Sequence, residues 1–365
     1  MESPSKYLKK VDWVLFFSAI LLTFAGLLSI YSSSFFKGDF LNFKKQIFFL
    51  VLGIILMVFF SLIDWRTFRE NPYLILAFYF LNLCALAFLF LFAPITNGTR
   101  GWYRFGLFAI DPIEPMKLIL IILLAKYFSM RHIEMYRISH IFISGIYVLL
   151  PSLLIFLQPD LGSVLILLLL WLGVLIISGI EIRHFLILVL LFCLVFAFSW
   201  SQLLKEYQKE RIMSFIAPNL EPLGMGWSQF QSKIALGSGG IFGKGFRGGS
   251  QVQYGFLTAP QTDFIFSAIG EEFGFLGITF LLGLIFIFFL RTIRIAFEAK
   301  TNFPRLFATG FAVLFTVQIF IHIGMNLGIL PIIGISLPFV SYGGGGLIAN
   351  YVGLGILQSL KINKD

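Results

Sequence analysis

Long apolar stretches alternate with short polar ones along almost the whole chain. A helix needs about 20 mainly apolar residues to cross the roughly 30 Å hydrocarbon core of a bilayer. The stretches lack the two-residue alternation of a transmembrane β-barrel. The pattern therefore predicts an all-α polytopic membrane protein with about ten transmembrane helices, over residues 13–32, 46–63, 73–93, 115–129, 141–157, 162–179, 184–202, 264–290, 305–327 and 342–360.

The composition also indicates a membrane protein. Of the 365 residues 58% are hydrophobic and 12% charged, whereas soluble domains carry about 25% charged residues. The first apolar stretch follows Lys6, Lys9 and Lys10 but has no small-x-small cleavage site, so we interpret it as an uncleaved helix. The two cysteines lie in apolar stretches and the four histidines lack ligand spacing, so no metal site is assigned.

The lysines and arginines of the short loops predict the orientation, because cytoplasmic loops carry an excess of them. The loops on the side of the N-terminus are the richer ones, which places both termini in the cytoplasm. The chain is then a single membrane domain over 1–365, with a long extracytoplasmic loop at about 203–262, between helices seven and eight. The net charge of +9 favours lipid headgroups and anionic phosphates as partners, and no soluble basic module is present to bind nucleic acid.

Polar residues at membrane depth are costly, so they indicate candidate sites. The first group lies in residues 97–118, where Glu114 and Lys117 share one helix face beneath Arg100 and Trp102. This pair binds a pyrophosphate or forms a structural ion pair. Asp111, followed by a proline and Glu114, matches a capping box at the start of that helix.

Two further groups have a structural interpretation beside the functional one. Asp160, in QPDLGS, is interpreted as the cap of the next helix. The glycine-rich run 237–249 contacts phosphates through its backbone amides, near Lys233, Lys244 and Arg247, or forms a scaffold of tight turns. A dinucleotide site is excluded there because no strand precedes the glycines.

Asp263 stands at the start of the predicted helix 264–290, above a stripe of small residues formed by Ser267, Gly270, Gly274 and Gly277. The stripe serves either close helix packing or a groove for a lipid chain. Asp263 either caps the helix or is available for chemistry, and capping does not account for Glu271 two turns deeper. Asp263 is thus the best-placed general base.

The chain resembles the SEDS family (shape, elongation, division and sporulation), which includes RodA and FtsW, nearly from end to end. The resemblance rests on several long motifs in the same order: NGTRGW, the P-x-E-x-x-K of residues 112–117, QPDLG, QSKIALGSGGIFGKG, TDFIFSAIGEEFGFLG and NLGILPIIGISLPFVSYGG. The short tails are more similar to RodA. The chain departs from the family at DPIE, where Q-P-S-E is usual, and in the four glycines 343–346.

The resemblance implies a ten-helix fold in the bacterial cytoplasmic membrane, active on its outer face. It implies a peptidoglycan glycosyltransferase for cell elongation and shape, which uses lipid II beside a class B penicillin-binding transpeptidase. The family's essential aspartate corresponds to Asp263, and its outer-loop and fourth-helix residues correspond to Trp102, Glu114 and Lys117.

The expected chemistry is proton transfer from the acceptor sugar hydroxyl to Asp263 as that hydroxyl attacks the donor. Arg100, Lys117, Lys233 or a divalent cation (Mg²⁺ or Mn²⁺) would stabilise the pyrophosphate leaving group. The rival interpretations are a flippase for lipid II and a non-catalytic membrane scaffold. A flippase needs polar residues through both leaflets, whereas here they are concentrated on the outer side.

Overall fold

The computed structural model of the chain describes residues 10–35, 38–64, 71–94, 101–106, 108–130, 138–216 and 225–363. Its helices and strands are, in chain order, α1 (Trp13–Phe35), α2 (Leu41–Leu62), α3 (Pro72–Phe92), β1 (Tyr103–Phe105), β2 (Phe108–Ile110), α4 (Ile113–Ser129), α5 (Ile138–Leu157), α6 (Leu161–Ile177), α7 (Ile182–Gln202), α8 (Glu206–Ile216), α9 (Met225–Ser238), α10 (Ser250–Gln253), α11 (Ile265–Glu298), α12 (Asn302–Leu327) and α13 (Gly344–Ile362).

The helical membrane fold is confirmed, and each predicted stretch is occupied by a helix. Among the described helices, seven are long and apolar enough to cross a membrane: α1, α2, α3, α5, α7, α11 and α12. Helices α4 and α6 have 17 residues each. Large apolar side chains cover much of the outer surface, as a hydrocarbon solvent favours.

Helix α12 is the centre of the bundle. It packs against α11, α4, α6 and α9, while α13 lies along α2, and α11 also contacts α1. By contrast, no residue of the apolar window of α7 is buried. The start of α1 and the end of α13 meet at one end of the bundle, where Lys361 Nζ lies 2.8 Å from Asp12 Oδ2. The Gln358 side chain also bonds both backbone groups of Asp12, at 2.8 and 3.0 Å.

The segment between α7 and α11 contains more regular structure than the sequence predicted. Its first part forms α8, and α9 and α10 follow. A small antiparallel hairpin, which the all-α prediction did not include, pairs Tyr103 with Ile110 before α4. Helices α9 and α10 pack against α11, and β2 contacts α13.

Helix α11 is interrupted at Gly274, which has φ 65° and ψ −162°, so the expectation of one continuous helix is wrong. A positive φ at this point favours glycine. The interruption leaves backbone groups of α11 without partners inside the helix, and the glycine-rich run 237–249 forms hydrogen bonds to them. Lys244 N donates to Glu271 O at 2.9 Å, and Phe275 N donates to Gly240 O at 2.9 Å.

The stripe of small residues serves this close backbone packing. A Cβ on Gly239 would lie 2.1 Å from Gly270 O, and one on Gly274 would lie 2.2 Å from Gly243 N. The amides of Lys244 and Gly245 already donate to carbonyl groups of α11. The structure therefore favours the scaffold interpretation of residues 237–249 over phosphate binding, and packing over a lipid groove.

Candidate functional site

A polar cavity of about 380 Å³ lies at the end of the bundle opposite the Asp12–Lys361 contact. It is formed where the loops before α4, α6, α11 and α13 meet. Its charged and amide-bearing lining residues are Lys45, Asp111, Glu114, Lys117, Asp160, Asp263 and Gln318, with Trp102, Ser163 and Tyr342 beside them and residues 343–346 forming one wall.

The cavity brings together four of the predicted site residues: Trp102, Glu114, Lys117 and Asp263. Lys233 is not among its lining residues and lies instead against Gly328, at the end of α12. Arg100 lies outside the described residues.

Asp263 lies in a turn that ends just before α11. Phe264 is the N-cap of that helix and makes no side-chain capping bond. Ala259 O accepts the amides of Thr262 and Phe264, so the turn closes through its backbone. Asp263 does not cap α11, and among the described residues no group donates a hydrogen bond to its carboxylate. The structure leaves this carboxylate free at the wall of the cavity.

Burial raises the pKa of the Asp263 carboxyl above its ordinary value, and the positive charge of Arg211 opposes that shift. Desolvation disfavours the charged form of any carboxyl group. A raised pKa makes the ionised carboxylate a stronger proton acceptor. Asp263 therefore combines a carboxylate that accepts no hydrogen bond from the described residues with a raised pKa.

Glu114 and Lys117 form an ion pair in the first turns of α4, with Lys117 Nζ 2.6 Å from Glu114 Oε1. The Lys117 side chain is 4% exposed and that of Glu114 is 17% exposed. An ammonium group has three donors, and this contact uses one of them. The two alternatives from the sequence are thus compatible: the pair exists, and Lys117 keeps donors for a ligand in the cavity.

Asp111 differs from the predicted capping box. Its Oδ1 accepts the amide of Ile113 at 2.8 Å, two residues on, and Glu114 bonds to Lys117 instead of reaching back. Burial raises the pKa of the Asp111 carboxyl, and the neighbouring charge of Glu114 raises it further. The cavity therefore holds Asp111 in an environment that favours its protonated form.

The capping role predicted for Asp160 is confirmed. Its carboxylate accepts the Ser163 amide at 3.1 Å and the Ser163 hydroxyl at 2.7 Å at the start of α6. Glu271 is also structural: fully buried, it pairs with Lys244 at 2.8 Å and accepts the amides of Gln251 and Val252. These bonds remove Glu271 from the candidates for a general base.

Gln318 was missed by the sequence analysis. Its side chain is 4% exposed, lines the cavity, and has an Oε1 without a hydrogen-bond donor among the described residues. Buried amide oxygens are nearly always hydrogen-bonded. The signal in the sequence was a polar amide inside the apolar stretch of α12.

Among the described residues, no group of three or more His, Cys, Asp or Glu side chains is arranged to hold a metal ion. Three of the four acidic residues of the cavity are separately engaged, Asp111 and Asp160 with backbone amides and Glu114 with Lys117. The described side chains of this cavity therefore do not supply three such ligands to one metal ion.

Three comparisons relate the chain to known proteins. A family model described as cell cycle protein, for FtsW, RodA and SpoVE, matches residues 12–365. Peptidoglycan glycosyltransferase MrdB of Escherichia coli K12 is 35% identical over 316 residues, which are 86% of this chain and 84% of MrdB. Stage V sporulation protein E of Bacillus subtilis is 34% identical over 96% of this chain and 96% of its own.

Solved structures with a similar fold include proteins of the same kind. One chain of a peptidoglycan synthase complex that coordinates polymerization and crosslinking superposes with a TM-score of 0.81 and 32% identity, covering 97% of this chain and 99% of that one. The rod shape determining protein RodA of Thermus thermophilus superposes with a TM-score of 0.72 and 28% identity, covering 97% of each chain.

Proposed function

Because this chain belongs to the cell cycle protein family of FtsW, RodA and SpoVE and is a peptidoglycan glycosyltransferase, we propose that it polymerises lipid II with Asp263 as the general base. The reaction would take place on the outer face of the cytoplasmic membrane and serve cell elongation and shape. The observation that carries this proposal is the free Asp263 carboxylate in a cavity that also contains Lys117.

The carboxylate of Asp263 accepts the proton of the acceptor sugar hydroxyl. The hydroxyl oxygen forms a bond to the anomeric carbon of the donor, and the bond from that carbon to the lipid pyrophosphate breaks. A positioned base contributes about 10²–10⁴-fold to such a step, and most when its pKa is near the working pH. The raised pKa of Asp263 supports this role.

The departing pyrophosphate carries negative charge that needs stabilisation. Lys117 and Lys45 both line the cavity, so we assign this role to them and retain Glu114 as the residue that orients Lys117. Trp102, 37% exposed at the cavity wall, offers an apolar surface to a sugar ring. Lys233 and Arg100 remain proposals from the sequence. No step is assigned to Mg²⁺ or Mn²⁺, because the described residues do not supply three His, Cys, Asp or Glu ligands to one ion.

A class B penicillin-binding transpeptidase is the proposed partner, since a similar solved chain comes from a complex that coordinates polymerization and crosslinking. Glycan strands made at the cavity would then be crosslinked nearby. The flippase alternative is not favoured, because the polar cavity is confined to one end of the bundle and the relatives are named glycosyltransferases. The proposed orientation places that end outside and both termini in the cytoplasm.

The test is polymerisation of purified lipid II by the purified chain, with and without a transpeptidase. Asp263→Asn removes the basic oxygen without removing any hydrogen bond recorded for the side chain. We expect it to fold, to bind lipid II and to make glycan at least about 10²-fold more slowly. Asp39→Asn is the matched control, since Asp39 is exposed and accepts the amide of Leu41, which asparagine also does. Chain synthesis by Asp263→Asn at the rate of Asp39→Asn would refute the assignment.

A further inference from the structure

The backbone around Asp263 is held by three successive hydrogen bonds from distant parts of the chain. Tyr342 N donates to Gln261 O at 2.8 Å. Ser341 Oγ donates to Thr262 O at 2.8 Å. Asn326 Nδ2 donates to Asp263 O at 2.9 Å. Every carbonyl from 261 to 263 is therefore fixed, while the side chain of Asp263 stays free.

Asn326 differs from the other two donors because it also holds the first turn of α11. Its Oδ1 accepts the amide of Ser267 at 3.2 Å and the hydroxyl of Ser267 at 2.7 Å. The first amides of a helix lack intrahelical partners, and the N-cap residue of α11 provides no side-chain bond. Asn326, on α12, thus caps α11 from another helix.

The Asn326 side chain is fully buried and uses its whole hydrogen-bonding capacity. Its Nδ2 has two hydrogens, which go to Asp263 O and to His322 O, the latter at 2.8 Å. Its Oδ1 has two lone pairs, which accept from Ser267. Ser232 of α9 adds to the network by donating to Asn326 O at 2.8 Å. Satisfied buried hydrogen bonds of this kind hold the residues that they join rigidly.

We propose that Asn326 is the positioning residue of the general base: it fixes the Asp263 carbonyl and the α11 N-terminus together, so that the Asp263 carboxylate faces the acceptor hydroxyl. This inference rests on the proposed function of Asp263. A general base must lie within about 2.6–3.2 Å of the proton it removes. A misplacement of about 1 Å costs up to roughly 10²-fold in rate.

The test compares Asn326→Ala with Gln358→Ala in the lipid II polymerisation assay. Gln358 is the matched control because its buried amide also bonds two backbone groups of one distant residue, Asp12, at the far end of the bundle. We expect both variants to lose thermal stability. Only Asn326→Ala should lower kcat, by about 10–10²-fold, with KM changed by less than about threefold because no substrate contact is removed.

Asn326→Leu, which is nearly isosteric and leaves a smaller void, serves where Asn326→Ala does not accumulate in the membrane. Wild-type kcat in either Asn326 variant, or an equal loss of kcat in Gln358→Ala, would overturn the positioning role. A rise in KM with unchanged kcat would overturn it as well, since that result indicates lost substrate binding. An error in the assignment of Asp263 as the base would be recognised separately, because only then would the Asp263→Asn variant be fully active.

Discussion

Substitution of Lys117 by methionine separates the structural from the binding role of the Glu114–Lys117 pair. Methionine nearly preserves the length and volume of lysine and removes the charge. At the observed 2.6 Å separation, the attraction between unit charges is about 6 kcal/mol at an effective dielectric constant of about 20. The cost of taking both charges out of water offsets much of that attraction.

Removing one partner of a buried pair destabilises by about 3–5 kcal/mol, chiefly because the other charge remains buried. Glu114 keeps 17% exposure toward the cavity, so we expect the lower end, about 3 kcal/mol. If Lys117 also binds the lipid pyrophosphate, Lys117→Met should weaken lipid II binding at least about tenfold, because a charged hydrogen bond contributes about 1.5–3 kcal/mol.

The assay measures thermal unfolding and lipid II binding on the same purified protein. The chain contains a matched control in Lys244, which pairs with the buried Glu271 at 2.8 Å away from the cavity. Lys244→Met should destabilise the protein and leave lipid II affinity unchanged. The double variant Glu114→Gln/Lys117→Met should recover stability but not affinity. Normal lipid II affinity in a destabilised Lys117→Met protein would refute the binding role.

Three further predictions concern pH, topology and backbone geometry. The folded-state pKa of Asp111 is raised, so the folded state binds more protons than the unfolded state, and stability is lost as the pH rises above the ordinary aspartate pKa. Asp111→Asn should therefore raise the unfolding temperature more at pH 8 than at pH 5. An equal rise at both pH values would contradict this prediction. A cysteine at the exposed Tyr254 should react with an impermeant thiol reagent in intact cells, and one at the exposed Met130 should not; the reverse pattern would invert the topology. Gly274→Ala should fail to accumulate as folded protein, because the new Cβ would lie 2.2 Å from Gly243 N at a residue with positive φ. A normal yield and unfolding temperature of this variant would show that α11 is not interrupted there.

The sequence was most informative about features that depend on local composition. Asp160 followed by a helix start and a serine was sufficient to predict its cap, and the motif around Asp263 was sufficient to single out that carboxylate. For the glycine-rich run 237–249 and Gly274, the sequence left packing and ligand binding both open. Deciding between them required the hydrogen bonds of that run to α11, which join residues about 27–35 positions apart along the chain.

The lengths of the apolar stretches predicted the membrane helices. In a bilayer each backbone group must be hydrogen-bonded within the protein, and a helix achieves this within its own stretch of sequence. The tertiary structure decided which polar residues share a site. It brought Glu114, Lys117 and Asp263 to one cavity, excluded Glu271 and Lys233 from it, and added Gln318. It also placed the Asn326 amide against the Asp263 carbonyl, 63 residues away in sequence. Such contacts depend on how α11 and α12 pack, and no local pattern of apolar and polar residues specifies them.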